Sequence, residues 1–160
     1  MPSIKERQID VLNGLIATTL DSAEGYGAAA KDTKNPRFKA LFDTRATQRR
    51  TLTAALQDEV RGLGGEPKDS GSLLAAGHRI FLNLKNAVIG SDEGVINEVE
   101  GGEDYIKDKY EAALQEGSLT APVKAIVSKA YEDVKADHDV IRDLKHEFQA
   151  QANPGAEPRI

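Results

Sequence analysis

Along most of this chain apolar residues return every three or four positions, the period of an amphipathic helix, and no stretch alternates residue by residue as a strand would. Punctuation divides the pattern into five helical stretches. Ser3 and Glu6 have capping-box spacing and open a first helix over about 3–31. Asn35-Pro36 opens a second over 36–63, which Gly64, Gly65 and Pro67 stop. A shorter amphipathic stretch over 72–88 carries Leu73, Leu74, Ile80, Phe81, Leu84 and Val88 on one face. Ser91-Asp92-Glu93 places acids at the positive end of a third long helix over 91–116, and Thr120 and Pro122 start the last, over 121–152. Pro154, Gly155 and Pro158 leave 153–160 as a loose tail.

Four helices of this length, each about 40 Å at 1.5 Å per residue, suit an elongated bundle in a single domain over 1–152. Three connections are short. The one between the second and third long helices holds the extra helix, long enough to let those two run parallel; an up-down bundle with a fifth helix added is the alternative.

Phasing each helix at about 100° per residue shows which polar groups interrupt the apolar faces. The first helix turns Ile4, Val11, Leu12, Leu15, Ile16, Thr19, Ala23, Tyr26 and Ala30 inward and sends Asp21 and Glu24 to the opposite side. The second uses Phe38, Leu41, Phe42, Leu52, Leu56, Val60 and Leu63, with Arg45 in mid-stripe and Gln48 and Arg49 at its flanks. Glu103 sits among Val95, Val99, Ile106, Tyr110 and Ala113 of the third. Asp137 interrupts Ile126, Ala130, Val134, Ile141, Leu144 and Phe148 of the fourth, with His138 at the edge. Arg45, Glu103 and Asp137 lie near their helix midpoints, so a bundle brings them to one level. Buried charges must satisfy one another, and the planar fork of Arg suits two carboxylates. The expected core polar cluster is Arg45, Arg49, Glu103, Asp137, His138, Tyr26 and Tyr110. It reads first as an ion cluster that fixes helix register and second as a binding centre, and no residue is assigned a catalytic role. On this reading, removing Arg45 leaves Glu103 and Asp137 without their cation.

Composition narrows the function. Hydrophobic residues at 39% and charged residues at 29% describe a globular chain, and with no cysteine a disulfide or thiolate site is excluded. A net charge of −5 argues against nucleic acid, and the lack of a signal-like or spanning apolar run argues against a membrane, so the expected compartment is the cytoplasm. Gly62, Gly64 and Gly65 form a helix stop rather than a phosphate loop, and His78 and His146 read as surface histidines.

Glu100-Gly101-Gly102-Glu103-Asp104 followed by Tyr110, Asp21-Ser22-Ala23-Glu24-Gly25-Tyr26, and Asp137-His138-Asp139-Val140-Ile141-Arg142 together resemble an uncharacterised family of bacterial ferritin-like bundle proteins. Gly64-Gly65-Glu66-Pro67 and Gly71-Ser72 fit its crossover. The resemblance implies a ferritin-like fold and a loose association with stress responses, and brings no established activity. Di-iron members of the wider group need a Glu from each of two helices and a Glu-x-x-His from each of the others. Here Lys135 stands three before His138, and Arg45 and Gln48 stand where Glu and His are wanted. Glu103, Asp137 and His138 remain as candidate ligands for iron or manganese, and no cofactor is expected. The favoured function is therefore non-enzymatic, through assembly with a second copy or with a protein partner docking on the crossover helix. The alternative is a metal-dependent oxidoreductase or iron-handling protein with a degenerate site.

Overall fold

A helix terminus leaves backbone groups unpaired, and the ends of the first two helices are marked by the residues that satisfy them. The computed structural model describes residues 3–71 and 92–152. Helix α1 spans Ile4–Asp32, and the expected inward stripe fails at its first residue, since Ile4 is exposed. Ser3 Oγ accepts from the Glu6 amide at 3.1 Å while the Ser3 amide donates to Glu6 Oε2 at 3.3 Å, a complete capping box. Helix α2 spans Pro36–Gly62, with Asn35 Oδ1 accepting from the Arg37 amide at 2.9 Å. It closes in a Schellman turn: the Gly65 amide reaches Val60 O and the Gly64 amide reaches Arg61 O, both at 2.9 Å. Gly64 holds φ at +82°, where a Cβ is strained. Helices α3, Asp92–Gln115, and α4, Ala121–Ala152, complete the described structure, which contains no strand among these residues. No helix among the described residues is long and apolar enough to cross a membrane.

Side-chain bonds between helix ends set the directions. Thr33 Oγ1 and the Lys34 amide, at the end of α1, donate to Asp92 Oδ1 at 2.7 and 3.0 Å, at the start of α3. At the other end the Thr120 amide and hydroxyl donate to Gln8 Oε1 at 2.7 and 2.9 Å. Both α2 and α3 therefore run against α1, and so parallel to each other, while Phe38 at the start of α2 stacks on Phe148 near the end of α4, 5.2 Å between centroids. α1 packs along α2 and against α3, α3 along α4, and α2 meets α4 only lightly.

Between α2 and α3 the chain has to return the length of the bundle, and the described start of that return follows the outside of α1. Gly65 rests on Ile9, Asn13 bonds the Glu66 carbonyl at 3.1 Å and the Lys68 amide at 2.9 Å, and Gly71 lies against Asp21. Six residues of extended chain thus match the rise of twelve helical residues, roughly 18 Å. A methyl at Gly71 would overlap Asp21 Oδ1, so the Asp21 carboxylate would have to shift to admit any larger residue there. This also corrects the expected outward, solvated Asp21: it is buried, 4% exposed, at the place where the returning chain crosses it. The expected crossover helix over 72–88, with His78 and its docking face, lies outside the described residues, as does the tail 153–160.

The interior has two apolar clusters. One, toward the α1 N-terminus, contains Leu12, Leu15, Ile16, Leu56, Val60, Ile106, Tyr110, Val127 and Val134. The other, toward the α1 C-terminus, contains Tyr26, Ala30, Phe38, Phe42, Val95, Ile96, Val99, Ile141 and Leu144. The polar residues with the greatest consequence lie between them.

Candidate functional site

Arg49 is the centre of that polar layer. On α2 the buried positions are Phe38, Phe42, Arg45, Ala46, Arg49, Thr53, Leu56 and Val60, a three-four repeat that takes both arginines inward. The expectation that Arg45 would be central and Arg49 at the flank is corrected. Arg49 is 1% exposed and its Nη2 donates to Glu103 Oε1 and Oε2 at 2.8 and 3.0 Å and to Asp137 Oδ2 at 3.2 Å, while Nη1 donates to Ser22 Oγ at 3.1 Å. Leu41 and Leu52, which drew the phase away from Arg49, are only half-buried. Thr53, buried one turn on with its hydroxyl bonded to Arg49 O at 2.8 Å, was the signal in the sequence that could have set the phase. Gln48, its other expected flank, is exposed.

Glu103 is 1% exposed and accepts from Tyr26 Oη at 2.5 Å as well as from Arg49. Arg45 pairs with Asp137 Oδ1 at 3.0 Å rather than with Glu103. Tyr26 lies under both guanidinium groups, with its ring 5.7 Å from Arg45 Cζ and 5.6 Å from Arg49 Cζ. Two cations and two carboxylates make the layer formally neutral, the condition under which buried charge is tolerated.

Two expected members stand apart. His138 turns away from the layer and meets Asp104 on α3 at 2.6 Å through Nε2, with Asp139 3.4 Å from Nδ1. A step of about 100° from Asp137 carries it to the outer seam of α3 and α4, and the exposed Asp104 there holds it. Tyr110 belongs to the neighbouring apolar cluster and bonds Thr19 Oγ1 at 2.8 Å; because Thr19 donates to Leu15 O at 2.6 Å, Tyr110 is the donor in this pair. His146 is exposed.

Burial sets the proton affinities. It pushes the Tyr26 hydroxyl well above its ordinary value, with the Glu103 charge adding to the effect and the two arginines opposing it. Burial raises Tyr110 to about 12, against the Thr19 bond and Arg49. Desolvation alone would lower Arg49, but Glu103, then Tyr26 and Asp137, hold it above the usual arginine range. Burial also raises Asp137, although Arg45 and Arg49 pull it down. At neutral pH Tyr26 is therefore a proton donor to Glu103 and Arg49 a permanent cation.

This donor set does not fit a di-metal centre. Glu103 and Asp137 converge, but the Arg49 guanidinium stands between them and takes the lone pairs a dication needs; among the described residues no three His, Asp or Glu side chains gather to hold a metal ion.

A search of curated proteins finds no match to this chain. A protein-family model described as "Domain of unknown function (DUF2383)" matches residues 7–116, which cover nearly all of α1 together with α2 and α3 and hence Tyr26, Arg45, Arg49 and Glu103. The match takes in well over half of the 160 residues, and the chain belongs to the DUF2383 family.

Proposed function

We propose that this protein is a bacterial ferritin-like bundle without a resident metal, which acts by assembly with a second copy or with a protein partner rather than by catalysis. The observation that carries the proposal is the Arg49 guanidinium between Glu103 and Asp137, in the middle of the bundle where di-iron proteins of the ferritin-like group hold their metals. The parallel run of α2 and α3 supports the ferritin-like assignment. A charged layer of this kind favours one helix register over shifted ones, because any slip leaves a buried charge unpaired. An association with stress responses is proposed on the family resemblance alone. The docking face is assigned to the stretch from Ser72 to Val88, on its sequence pattern of Ile80, Phe81 and Leu84.

Two measurements test this. Protein purified without chelator is analysed for metals, and its melting temperature is followed with added iron or manganese. Substoichiometric metal and no shift are expected, since a ligand that binds only the native state must raise stability. Stoichiometric metal, or a clear rise, overturns the proposal in favour of an iron- or manganese-dependent oxidoreductase or iron-handling protein. Solution size of the full chain and of Phe81→Asp is then compared. The parent chain is expected to self-associate or hold a partner and the variant to lose this while keeping its helicity; a strict monomer that captures no partner refutes the assembly reading.

A further inference from the structure

Among the described helices the charged layer is least tightly enclosed on one side. α2 and α4 form the most sparsely packed of the seams between neighbouring helices, and Asp137, which lies in it, is 21% exposed where Arg49 and Glu103 are 1% exposed. Arg45 borders the same seam. It is 5% exposed, and neither its Nε nor its Nη1 donates a hydrogen bond, although both atoms are shut off from solvent. Nη1 touches Asp137 Oδ1 only as an ion contact at 3.0 Å. Buried guanidinium N–H groups without acceptors are rare in native proteins and call for a partner of their own.

We propose that the α2–α4 seam is a binding site for a small oxyanion of carboxylate size, held by Arg45 in the place from which the Asp137 carboxylate turns outward. Arg45 Nη1 supplies the charged N–H that the outward turn of Asp137 would free, and Nε–H, on a separate edge of the guanidinium, has no acceptor of its own. Asp137 is the member that can yield, because it reaches solvent and its own bond runs to Arg49, which keeps Glu103 as a partner. The inference rests on the geometry of the layer and is independent of the assembly reading.

Charge balance gives the site a pH dependence. Asp137 faces Arg45 and Arg49 of α2 and Glu103 of α3, with Tyr26 of α1 beneath the two cations, and on α4 His138 turns to Asp104. An added anion makes this neutral group negative unless Asp137 takes up a proton. Burial already holds the Asp137 carboxyl above its ordinary value, so that uptake is favoured. Anion binding and protonation of Asp137 then promote each other.

The test is calorimetric titration with sodium formate and with sodium nitrate, at ionic strength fixed with sodium chloride, between about pH 5 and pH 8. The parent chain is expected to bind more tightly as pH falls. Asp137→Asn, which removes the competing charge without changing shape, is expected to bind at least about tenfold more tightly and to lose the pH dependence. Arg45→Met is expected to abolish binding. No binding beyond that of chloride, binding by Asp137→Asn no tighter than by the parent, or binding that survives in a folded Arg45→Met each overturns the proposal. Should Arg45→Met fail to fold, the comparison with Asp137→Asn decides by itself.

Discussion

Replacing Arg49 with methionine removes the cation while keeping most of the apolar stem. Glu103, 1% exposed, then keeps only the Tyr26 hydroxyl among its three hydrogen bonds, and Ser22 Oγ loses its donor. Breaking a buried pair by removing one partner costs about 3–5 kcal/mol, because the remaining charge stays desolvated. For a domain of this size each kcal/mol lowers the melting temperature by about 2–4 °C, so a fall of about 6–20 °C is expected. Asp137 is less affected, since Arg45 still pairs with it at 3.0 Å. The assay is urea unfolding followed by helicity, on the parent chain, Arg49→Met, Glu103→Gln and the double variant. The double variant removes one charge of each sign and leaves the Arg45–Asp137 pair balanced, so it is expected to recover about 1–3 kcal/mol relative to the sum of the singles. A loss below about 1 kcal/mol for Arg49→Met, or strictly additive effects, would refute the reasoning and mean that the layer is wet or absent.

Arg45→Met should cost about 1 kcal/mol or less, because Asp137 is partly solvated and retains Arg49, and the same unfolding series reads it. Tyr26 and Tyr110 both ionise above their unfolded values in the folded chain, so their stabilising share is whole below about pH 10 and falls as pH rises through the folded values, about 12 for Tyr110. The share of phenolate absorbance contributed by the buried Tyr26 and Tyr110 should therefore appear together with the loss of helicity; ionisation of all four tyrosines with the helices intact would contradict this. Gly64→Ala should lose about 1 kcal/mol through strain at φ +82°, whereas alanine at the open helical position Gly14, where a Cβ meets nothing within 4 Å, should gain up to about 1 kcal/mol, both checked by thermal unfolding.

Helix boundaries were legible because they are written in local chemistry. The capping signals put the first helix at 3–31 and it lies at Ile4–Asp32; they put the last at 121–152 and it lies at Ala121–Ala152. Caps, prolines and glycines act over three or four residues, so their meaning survives without knowledge of the rest of the chain. Azimuth was harder to read. Leu41 and Leu52 tilted the apparent stripe of α2 toward Arg45, and the true buried face passes through Arg49 and Thr53. A helix touching neighbours on two sides buries an arc wider than its apolar residues mark, and charged groups on that arc are counted as exposed until their partners are known. Asp21 was misplaced for a related reason: what covers it is Gly71, fifty residues on.

By itself the sequence determined the helices and their ends, the helical class and the presence of carboxylates and arginines at one level of a bundle. Those follow from capping, periodicity and rise per residue, which are properties of a chain with its immediate neighbours. Only the tertiary structure decided which arginine holds Glu103, that Asp137 is shared between Arg45 and Arg49, that His138 leaves the layer for Asp104, and that Arg45 is left with donors to spare. A rotation of a few tens of degrees about a helix axis exchanges one of these partners for another at little cost to the apolar pattern. The choice is made by pairing energies between residues 34 to 92 positions apart along the chain.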